Sequence, residues 1–266
     1  MNAPRHLLAA WAEIERQLRR VRRVAVFTDF DGTLVRIHLH PGRVQLSSHR
    51  KSLLAALARR GVVVGVVSGR RLEDLRRKVG VARIWYAGAH GFFLRTPGNR
   101  NIVLLSPTER ATIARAERFL ARRLHGVPGI ALEPKRATLA VHYRLASRRN
   151  RQFARKSVAV LLRSEPRLRM LSGKKIWDLL PAGRDALRVD KATAIQLVLQ
   201  HERKRHPRGR WLVFYVGDDS TDERVFQKLV GISVAVGRRR HTAARFFLRS
   251  PGEVRQFLER LIKGLP

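Results

Sequence analysis

Residues 24–33 read Val-Ala-Val-Phe-Thr-Asp-Phe-Asp-Gly-Thr. The first five are strand formers, and a short apolar run of this kind predicts a strand that is buried on both faces. Asp29 and Asp31 follow at once, so both carboxylates can point into one crevice, where they can hold a divalent cation or divide nucleophilic and acid-base roles. Gly32 allows a sharp turn, and Thr33 offers a hydroxyl to an oxyanion. A loop with two solvated aspartates is the structural alternative, but the whole string is far more specific than a bare Asp-x-Asp.

Apolar strands and helical patterns alternate on both sides of this segment. Further strands are predicted at 62–67, 84–87, 211–216 and 233–236, and helices at 4–20, 48–59, 72–79 and 190–200. Continuous apolar strands that alternate with helices indicate an α/β, Rossmann-like fold with a parallel sheet covered on both faces. Ligands of such folds bind at the carboxyl ends of the strands, and each polar motif of this chain follows the end of an apolar strand. We therefore expect a single site at that edge of the sheet.

The middle of the chain has a different pattern. Helices are predicted at 107–124 and 151–163, and strands at 131–133, 139–144 and 175–180. These elements form an α+β unit inserted between the two halves of the parallel domain. We assign residues 1–104 and 185–266 to the core domain, and residues 105–184 to the inserted domain.

Four acidic residues crowd together after the strand predicted at 211–216. They are Asp218, Asp219, Asp222 and Glu223. Their mutual repulsion is tolerable if a hard cation such as Mg²⁺ accepts their oxygens as ligands. Asp219 could instead cap a helix, with the next two acids favoured in its first turn by the helix dipole. Both interpretations can hold at once.

Two further motifs suit a phosphate group. Ser68-Gly69-Arg70 ends an apolar strand and offers a hydroxyl and exposed amides at a strand-to-helix turn. Lys191 opens a helix after Asp190, and its ammonium is a suitable point charge for a phosphoryl oxygen. Alone, each signal is weak, because many such serines are structural and many helix-opening lysines are merely exposed.

Composition sets limits on the class of protein. The 266 residues contain no cysteine, which excludes disulfides and thiolate metal sites. No apolar run is long enough to span a bilayer, and residues 1–11 lack the features of a signal peptide. We expect a soluble, cytoplasmic protein without a membrane partner.

The net charge of +36 is the unusual feature of the composition. Such an excess attracts polyanions, so nucleic acid is one candidate partner. The arginines are spread along the whole chain, however, and lack the interleaved aromatic residues of single-strand binders. We therefore interpret the charge as a solvated basic surface that helps to collect anionic substrates, and do not expect nucleic acid as the partner.

Taken in order, the motifs resemble a known superfamily. Asp29-Phe30-Asp31-Gly32-Thr33, Ser68, Lys191 and Gly217-Asp218-Asp219 are similar to the four motifs of the haloacid dehalogenase superfamily. Further strings resemble the trehalose-6-phosphate phosphatase family, and they are Gly88-Ala89-His90-Gly91, Glu133-Pro134-Lys135, Val141-His142-Tyr143-Arg144 and Gly217-Asp218-Asp219-Ser220-Thr221-Asp222-Glu223. The resemblance covers nearly the whole chain, with the inserted unit as a substrate-specificity cap.

The resemblance implies hydrolysis of trehalose 6-phosphate through an aspartyl-phosphate intermediate. Asp29 would be the nucleophile and Asp31 the acid-base residue, while Ser68 and Lys191 would hold the phosphoryl oxygens. The metal ligands of Mg²⁺ would be Asp29, the backbone carbonyl of Asp31, and Asp218. Asp219 and Asp222 would lie near the ion without being its main ligands.

The resemblance also implies a set of residues that bind the sugar. These would be Glu133, Lys135, Arg144, Lys174 and Asp178 of the inserted unit, with Arg70 and His90 lining the same cleft. Charged donors and acceptors suit a polyhydroxylated ligand. The sugar role of Lys135 rests on the resemblance alone, since it could equally be surface charge, and His142 and Tyr143 could simply pack in a strand.

Two departures from the family pattern keep alternatives open. Asp178 stands where the family usually has Glu, and Ala192 stands where it has Gly. The shorter acid leaves room for another sugar phosphate, such as sucrose 6-phosphate or a glycosyl-phosphoglycerate. A phosphomutase and a nucleic-acid-binding protein on this fold are weaker alternatives. A monomer and a homodimer are both compatible with the sequence.

Overall fold

The computed structural model describes residues 3–38, 42, 44–173, 175–183, 189–237 and 241–265. The chain divides into two compact units. The large unit combines Met1–Val103 with Asp190–Pro266, and the small unit is Leu104–Val189.

The large unit contains a mixed sheet dominated by parallel strands. Within its described residues, the strands are β1 (Arg5–His6), β2 (Arg23–Thr28), β3 (Val63–Val67), β4 (Trp85–Gly88), β5 (Phe93–Arg95), β6 (Asn101–Val103), β11 (Trp211–Gly217), β12 (Ile232–Val236) and β13 (Phe246–Leu248). Their order is β1-β13-β12-β11-β2-β3-β4-β5-β6, and only β5 and β6 pair antiparallel to their neighbours. The predicted α/β class with a parallel sheet is confirmed.

Helices pack on both faces of this sheet. They are α1 (Trp11–Leu18), α2 (Ser48–Arg59), α3 (Leu72–Val79), α6 (Lys191–Arg205), α7 (Glu223–Lys228) and α8 (Pro251–Gly264). Side chains of a strand alternate between faces. Val24 and Val26 of β2 belong to a buried cluster with α1, α2, α3 and α8, whereas Phe27 faces Ile195 and Val198 of α6.

The register of the central strands sets where the site forms. Thr28 of β2 pairs with Val216 of β11 on one side and with Val66 of β3 on the other. The three strands therefore end together, and their following loops start side by side at the carboxyl edge of the sheet.

The small unit is an α+β layer. Its described elements are α4 (Pro107–Arg123), β7 (Ala131–Pro134), β8 (Leu139–His142), α5 (Arg148–Ser164), β9 (Leu168–Gly173) and β10 (Ile176–Pro181). The strands form an antiparallel sheet in the order β7-β8-β10-β9, and the two helices pack on it. The buried core of the unit includes Leu120, Val141, Val158, Trp177 and Leu179.

The secondary-structure prediction is wrong or incomplete in several places. The first helix begins at Trp11 instead of residue 4, because the backbone N–H groups of Arg5 and Leu7 donate to the carbonyls of Arg245 and Phe247 and extend the sheet. Strand β9 was not predicted, since Arg169 and Ser172 interrupt its apolar residues. The antiparallel pair β5–β6 was also missed, as were β13 and the last helix, α8.

Helix length and hydropathy bear on the membrane question. Among the helices that the structure describes, none has both the length and the apolar character that a membrane crossing requires.

Candidate active site

The loop after β2 carries both aspartates of the first motif. Asp29 continues the strand, because its N–H donates to the carbonyl of Val216 at 2.8 Å. Phe30 is fully buried, and the chain then turns through Gly32, whose φ is +85°. The Asp29 side chain is therefore buried, whereas that of Asp31 remains 35% exposed.

Close packing of two loops brings Asp218 to the first motif. A Cβ atom placed on Gly32 would lie 2.1 Å from Oδ2 of Asp218. Gly32 is thus required both for its positive φ and for the space that its missing side chain leaves. This approach joins the loop after β11 to the loop after β2.

Three buried carboxylates form a cluster at this edge. Oxygen atoms of Asp29, Asp218 and Asp222 all lie within 4.8 Å of one another. The ammonium of Lys191, the first residue of α6, lies 3.1 Å from Oδ1 of Asp29 and 2.7 Å from Oδ1 of Asp222. Lys191 is therefore a buried member of the site, and the surface alternative for it is wrong.

The contacts of Asp222 differ from those of its two neighbours. Its Oδ1 accepts from Lys191 and from the Tyr215 hydroxyl at 2.6 Å, and its Oδ2 accepts from the N–H of Asp219 at 2.8 Å. The Asp219 carboxylate accepts from the N–H of Thr221, so the two aspartates form a capping box on a short 3₁₀ turn. Both oxygens of Asp222 already accept hydrogen bonds, so this side chain is suited to orient its neighbours around a cation rather than to be a main ligand.

Burial and charge shift the protonation equilibria of these groups. Burial raises the pKa of Asp29 well above its usual value, with Lys191 opposing the shift and the neighbouring carboxylates adding to it. Burial alone would lower the pKa of Lys191, but Asp222 and Asp29 outweigh it and raise that pKa, so the ammonium stays charged. Burial and the Asp222 carboxylate also raise the pKa of Tyr215, which therefore remains a hydrogen-bond donor.

The donor set fits a hard divalent cation. Three buried carboxylates face the ammonium of Lys191, so their ionised form concentrates negative charge at this edge of the sheet. Carboxylate oxygens are the ligands that Mg²⁺ prefers, and a bound cation would favour the ionised form of Asp29 that burial opposes. Asp29 and Asp218 are the side chains best placed to hold the ion.

The loops after β3 and β4 pack together beside the first motif. Ser68 is buried and its hydroxyl accepts from the N–H of Arg70 at 3.2 Å, while its carbonyl accepts from the N–H of His90 at 3.0 Å. Ala89 and His90 both have positive φ. A Cβ atom on Gly69 would lie 2.7 Å from the His90 ring, so the two loops are tightly fitted. The guanidinium of Arg70 donates two hydrogen bonds to the carboxylate of Asp31.

The small unit gathers part of the predicted sugar-binding set. Buried Lys135 pairs with buried Asp178 at 2.9 Å. Oε2 of Glu133 accepts a hydrogen bond from Nε2 of the His142 ring at 2.8 Å. Arg144 is exposed just beyond β8. Lys174, which is predicted to bind the sugar, lies outside the described residues.

His142 has a definite contact that its sequence position did not reveal. Burial alone would raise the pKa of Glu133, but the hydrogen bond from His142 and the charge of Lys135 lower it overall. His142 is two positions along the neighbouring strand from the partner of Glu133, which brings the two side chains together diagonally. Tyr143 stacks on Trp177, with ring centroids 4.2 Å apart.

Solved structures share this fold at low sequence identity. The C-terminal domain of Candida albicans trehalose-6-phosphate phosphatase aligns with a TM-score of 0.82 at 20% identity, over 100% of this chain and 99% of that one. A trehalose-6-phosphate phosphatase of Aspergillus fumigatus aligns with a TM-score of 0.69 at 24% identity, over 98% of this chain and 99% of that one. Both similarities define the α/β architecture.

Sequence comparison identifies the family. The family model described as Trehalose-phosphatase matches residues 27–251. The chain therefore belongs to the trehalose-phosphatase family. It is 36% identical over 254 residues to the trehalose-phosphate phosphatase of Mycobacterium avium (strain 104). The aligned region covers 92% of this chain and 63% of the relative. The chain thus spans a little less than two thirds of the length of that relative.

Proposed function

We propose that this protein hydrolyses trehalose 6-phosphate to trehalose and phosphate through an aspartyl-phosphate intermediate, with Mg²⁺ as cofactor. The observation that carries the proposal is the buried carboxylate of Asp29, held between Lys191 and Asp218 at the carboxyl edge of a parallel sheet. Asp31, two residues along, provides a second and more exposed carboxylate.

Asp29 acts as the nucleophile. One of its oxygens forms a bond to phosphorus as the bond from phosphorus to the sugar oxygen breaks. Lys191 holds Asp29 in place and offers positive charge to the phosphoryl oxygens, and Ser68 lies at the end of the adjacent strand to donate its hydroxyl. Bound Mg²⁺ would supply further positive charge at Asp29 and Asp218.

Asp31 moves the protons. Its carboxyl group gives a proton to the departing sugar oxygen, and the resulting carboxylate then takes a proton from the water that attacks the phosphorylated Asp29. This second attack breaks the bond between Asp29 and phosphorus and releases phosphate. The exposure of Asp31 leaves it accessible to both the sugar and water.

The small unit acts as the cap that reads the sugar. Glu133, Lys135, Arg144 and Asp178 are its candidate ligands, together with Lys174, while Arg70 and His90 line the phosphate side. A phosphatase for another sugar phosphate is the second candidate, because Asp178 is shorter than the usual acid and is engaged by Lys135. We expect a cytoplasmic monomer or homodimer that does not depend on nucleic acid.

Phosphate release with Mg²⁺ tests the proposal. We expect trehalose 6-phosphate to be preferred over sucrose 6-phosphate, glucose 6-phosphate and a glycosyl-phosphoglycerate. Asp29→Asn should remove turnover, whereas Glu117→Gln, which changes a carboxylate of the small unit with no assigned role, should leave it intact. Preference for another substrate would keep the chemistry and replace the substrate, and substantial turnover by Asp29→Asn would exclude Asp29 as the nucleophile.

A further inference from the structure

We propose that Arg70 is a positioning residue that orients the carboxylate of Asp31 for proton transfer. The inference rests on the proposed function, because it assigns Arg70 to the acid-base half of that reaction. It differs from the sugar-binding role that the sequence suggested for this arginine, since the guanidinium contacts Asp31 directly.

The contact between the two side chains is bidentate. Nε of Arg70 lies 2.6 Å from Oδ2 of Asp31, and Nη2 lies 2.7 Å from Oδ1. Two parallel hydrogen bonds fix the plane of a carboxylate as well as its position. A lysine at the same place would be a point charge and could not impose that plane.

Arg70 is itself held rigidly. Its third nitrogen, Nη1, donates to Oδ2 of Asp74 at 2.9 Å, and its guanidinium carbon lies 5.5 Å from the centroid of the Phe30 ring. The side chain is only 13% exposed. Asp74 is fixed in turn by Arg77 at 2.8 Å. The orientation of Asp31 is therefore determined by a chain of contacts that begins on α3.

The two aspartates of the first motif have different cationic partners. Asp29 faces the ammonium of Lys191, whereas Asp31 faces the guanidinium of Arg70. Each carboxylate oxygen has two lone pairs, so the fork of Arg70 leaves one on each oxygen of Asp31 for a proton. Arg70 therefore holds Asp31 in place and still leaves each of its oxygens a lone pair that can accept a proton.

Leaving-group dependence separates this role from a general structural one. A sugar alkoxide needs a proton as it departs, whereas 2,4-dinitrophenolate does not. We expect Arg70→Ala to lower kcat/KM, which reports phosphoryl transfer to Asp29 and not the later attack of water, by about 100-fold on trehalose 6-phosphate and by no more than about threefold on 2,4-dinitrophenyl phosphate, in line with the usual size of general-acid effects. Arg71→Ala, which removes an exposed neighbouring arginine, should change neither rate.

Two further variants keep the inference falsifiable. Arg70→Lys preserves charge and bulk but not the fork, so we expect it to resemble Arg70→Ala on the sugar phosphate. In an Asp31→Asn background, Arg70→Ala should cause little additional loss, because both changes disable the same proton transfer. Equal losses of kcat/KM on both substrates, full rescue by Arg70→Lys, or additive losses in the double variant would each overturn the proposal.

Crystal structures of the wild type and of Arg70→Ala give a readout that needs no turnover. We expect the Asp31 carboxylate to be forked by Arg70 in the wild type and to rotate in the variant, while Asp29 stays in place. An Asp31 orientation that is unchanged in Arg70→Ala would overturn the positioning role. Absence of phosphatase activity in a wild type that keeps the fork would instead overturn the proposed function.

Discussion

The ammonium of Lys191 lies 2.7 Å from Oδ1 of Asp222, and both side chains are buried. The same nitrogen lies 3.1 Å from Asp29. One cation therefore compensates carboxylates from two different loops, so the first residue of α6 ties the nucleophile loop to the loop after β11. Removing one partner of a buried ion pair leaves the other charge uncompensated, which is more costly than replacing both.

We expect Lys191→Met to unfold more easily in the absence of metal. The uncompensated carboxylates should reduce the free energy of unfolding by about 3–5 kcal/mol, the usual effect of breaking a buried pair. Urea denaturation in the presence of a chelator measures this, with Lys228→Met, an exposed lysine of α7, as the matched control. Equal urea midpoints for the two variants would mean that Lys191 does not stabilise the cluster.

A second prediction concerns Asp218 and the metal. Because three buried carboxylates repel one another, Asp218→Asn should be at least as stable as the wild type in chelator. Adding Mg²⁺ should raise the Tm of the wild type through ligand binding. It should raise the Tm of Asp218→Asn much less, because this variant lacks one oxygen ligand.

Asp219→Asn is the control for the metal experiment. Asp219 caps the short turn beside Asp222 and does not belong to the three-carboxylate cluster, so its variant should keep most of the response to Mg²⁺. Differential scanning fluorimetry at a series of Mg²⁺ concentrations gives both values. A response that is lost in Asp219→Asn and kept in Asp218→Asn would reverse the assignment of ligands.

The residues that meet at the site were easier to predict from the sequence than the contacts that support them. The buried strand at residues 24–28 and the acids after it are local signals, and strand ends meet at one edge of a parallel sheet. That rule was enough to place Asp29 near Asp218. The contact of Lys191 with Asp29 depends on how α6 packs, and for this the sequence offered only the order of the motifs.

The missed features depend on tertiary structure. Arg70 and Asp31 are 39 positions apart, and no periodicity links them. The hydroxyl of Tyr215 reaches Asp222 because the chain turns back after β11, although the residue appears in the sequence as an ordinary strand aromatic. Arg169 and Ser172 interrupt the apolar residues of strand β9, so the sequence shows no continuous apolar run there.

Asp74 should make stability depend on pH in acid. Burial alone would raise its pKa, but hydrogen bonds from Arg70 and Arg77 lower it overall in the folded protein. A group with a depressed folded pKa stabilises the fold above its unfolded pKa of about 3.9. That contribution is lost as the pH falls through the lower, folded pKa.

The difference between wild type and Asp74→Asn measures this contribution. We expect the wild type to have the higher urea midpoint at pH 7 and pH 5, and the gap to shrink as the pH falls from 4 to 3. Glu117→Gln, which removes a carboxylate that has no ion pair among the described residues, should show no such narrowing. If the difference in urea midpoint between the wild type and Asp74→Asn is constant with pH, the ion pairs of Asp74 are not the source of that difference.

The buried pair in the small unit allows a test of stability that does not involve catalysis. Lys135 and Asp178 lie 2.9 Å apart, and their side chains are only 6% and 9% exposed. We expect Asp178→Leu to lower the free energy of unfolding by about 3–5 kcal/mol, because it leaves the ammonium without this partner. The double variant Lys135→Met with Asp178→Leu should recover much of that loss, since neither charge then remains.

The exposed pair of Arg115 and Glu165 is the matched control in the same unit. Its atoms lie 2.6 Å apart, but Arg115 is 46% exposed, so solvent screens the attraction and Glu165→Leu should change stability much less. Urea denaturation of all three variants, followed by the fluorescence of tryptophan, gives the comparison directly. If the double variant is as unstable as Asp178→Leu, the loss arises from packing around position 178 rather than from an unpaired Lys135.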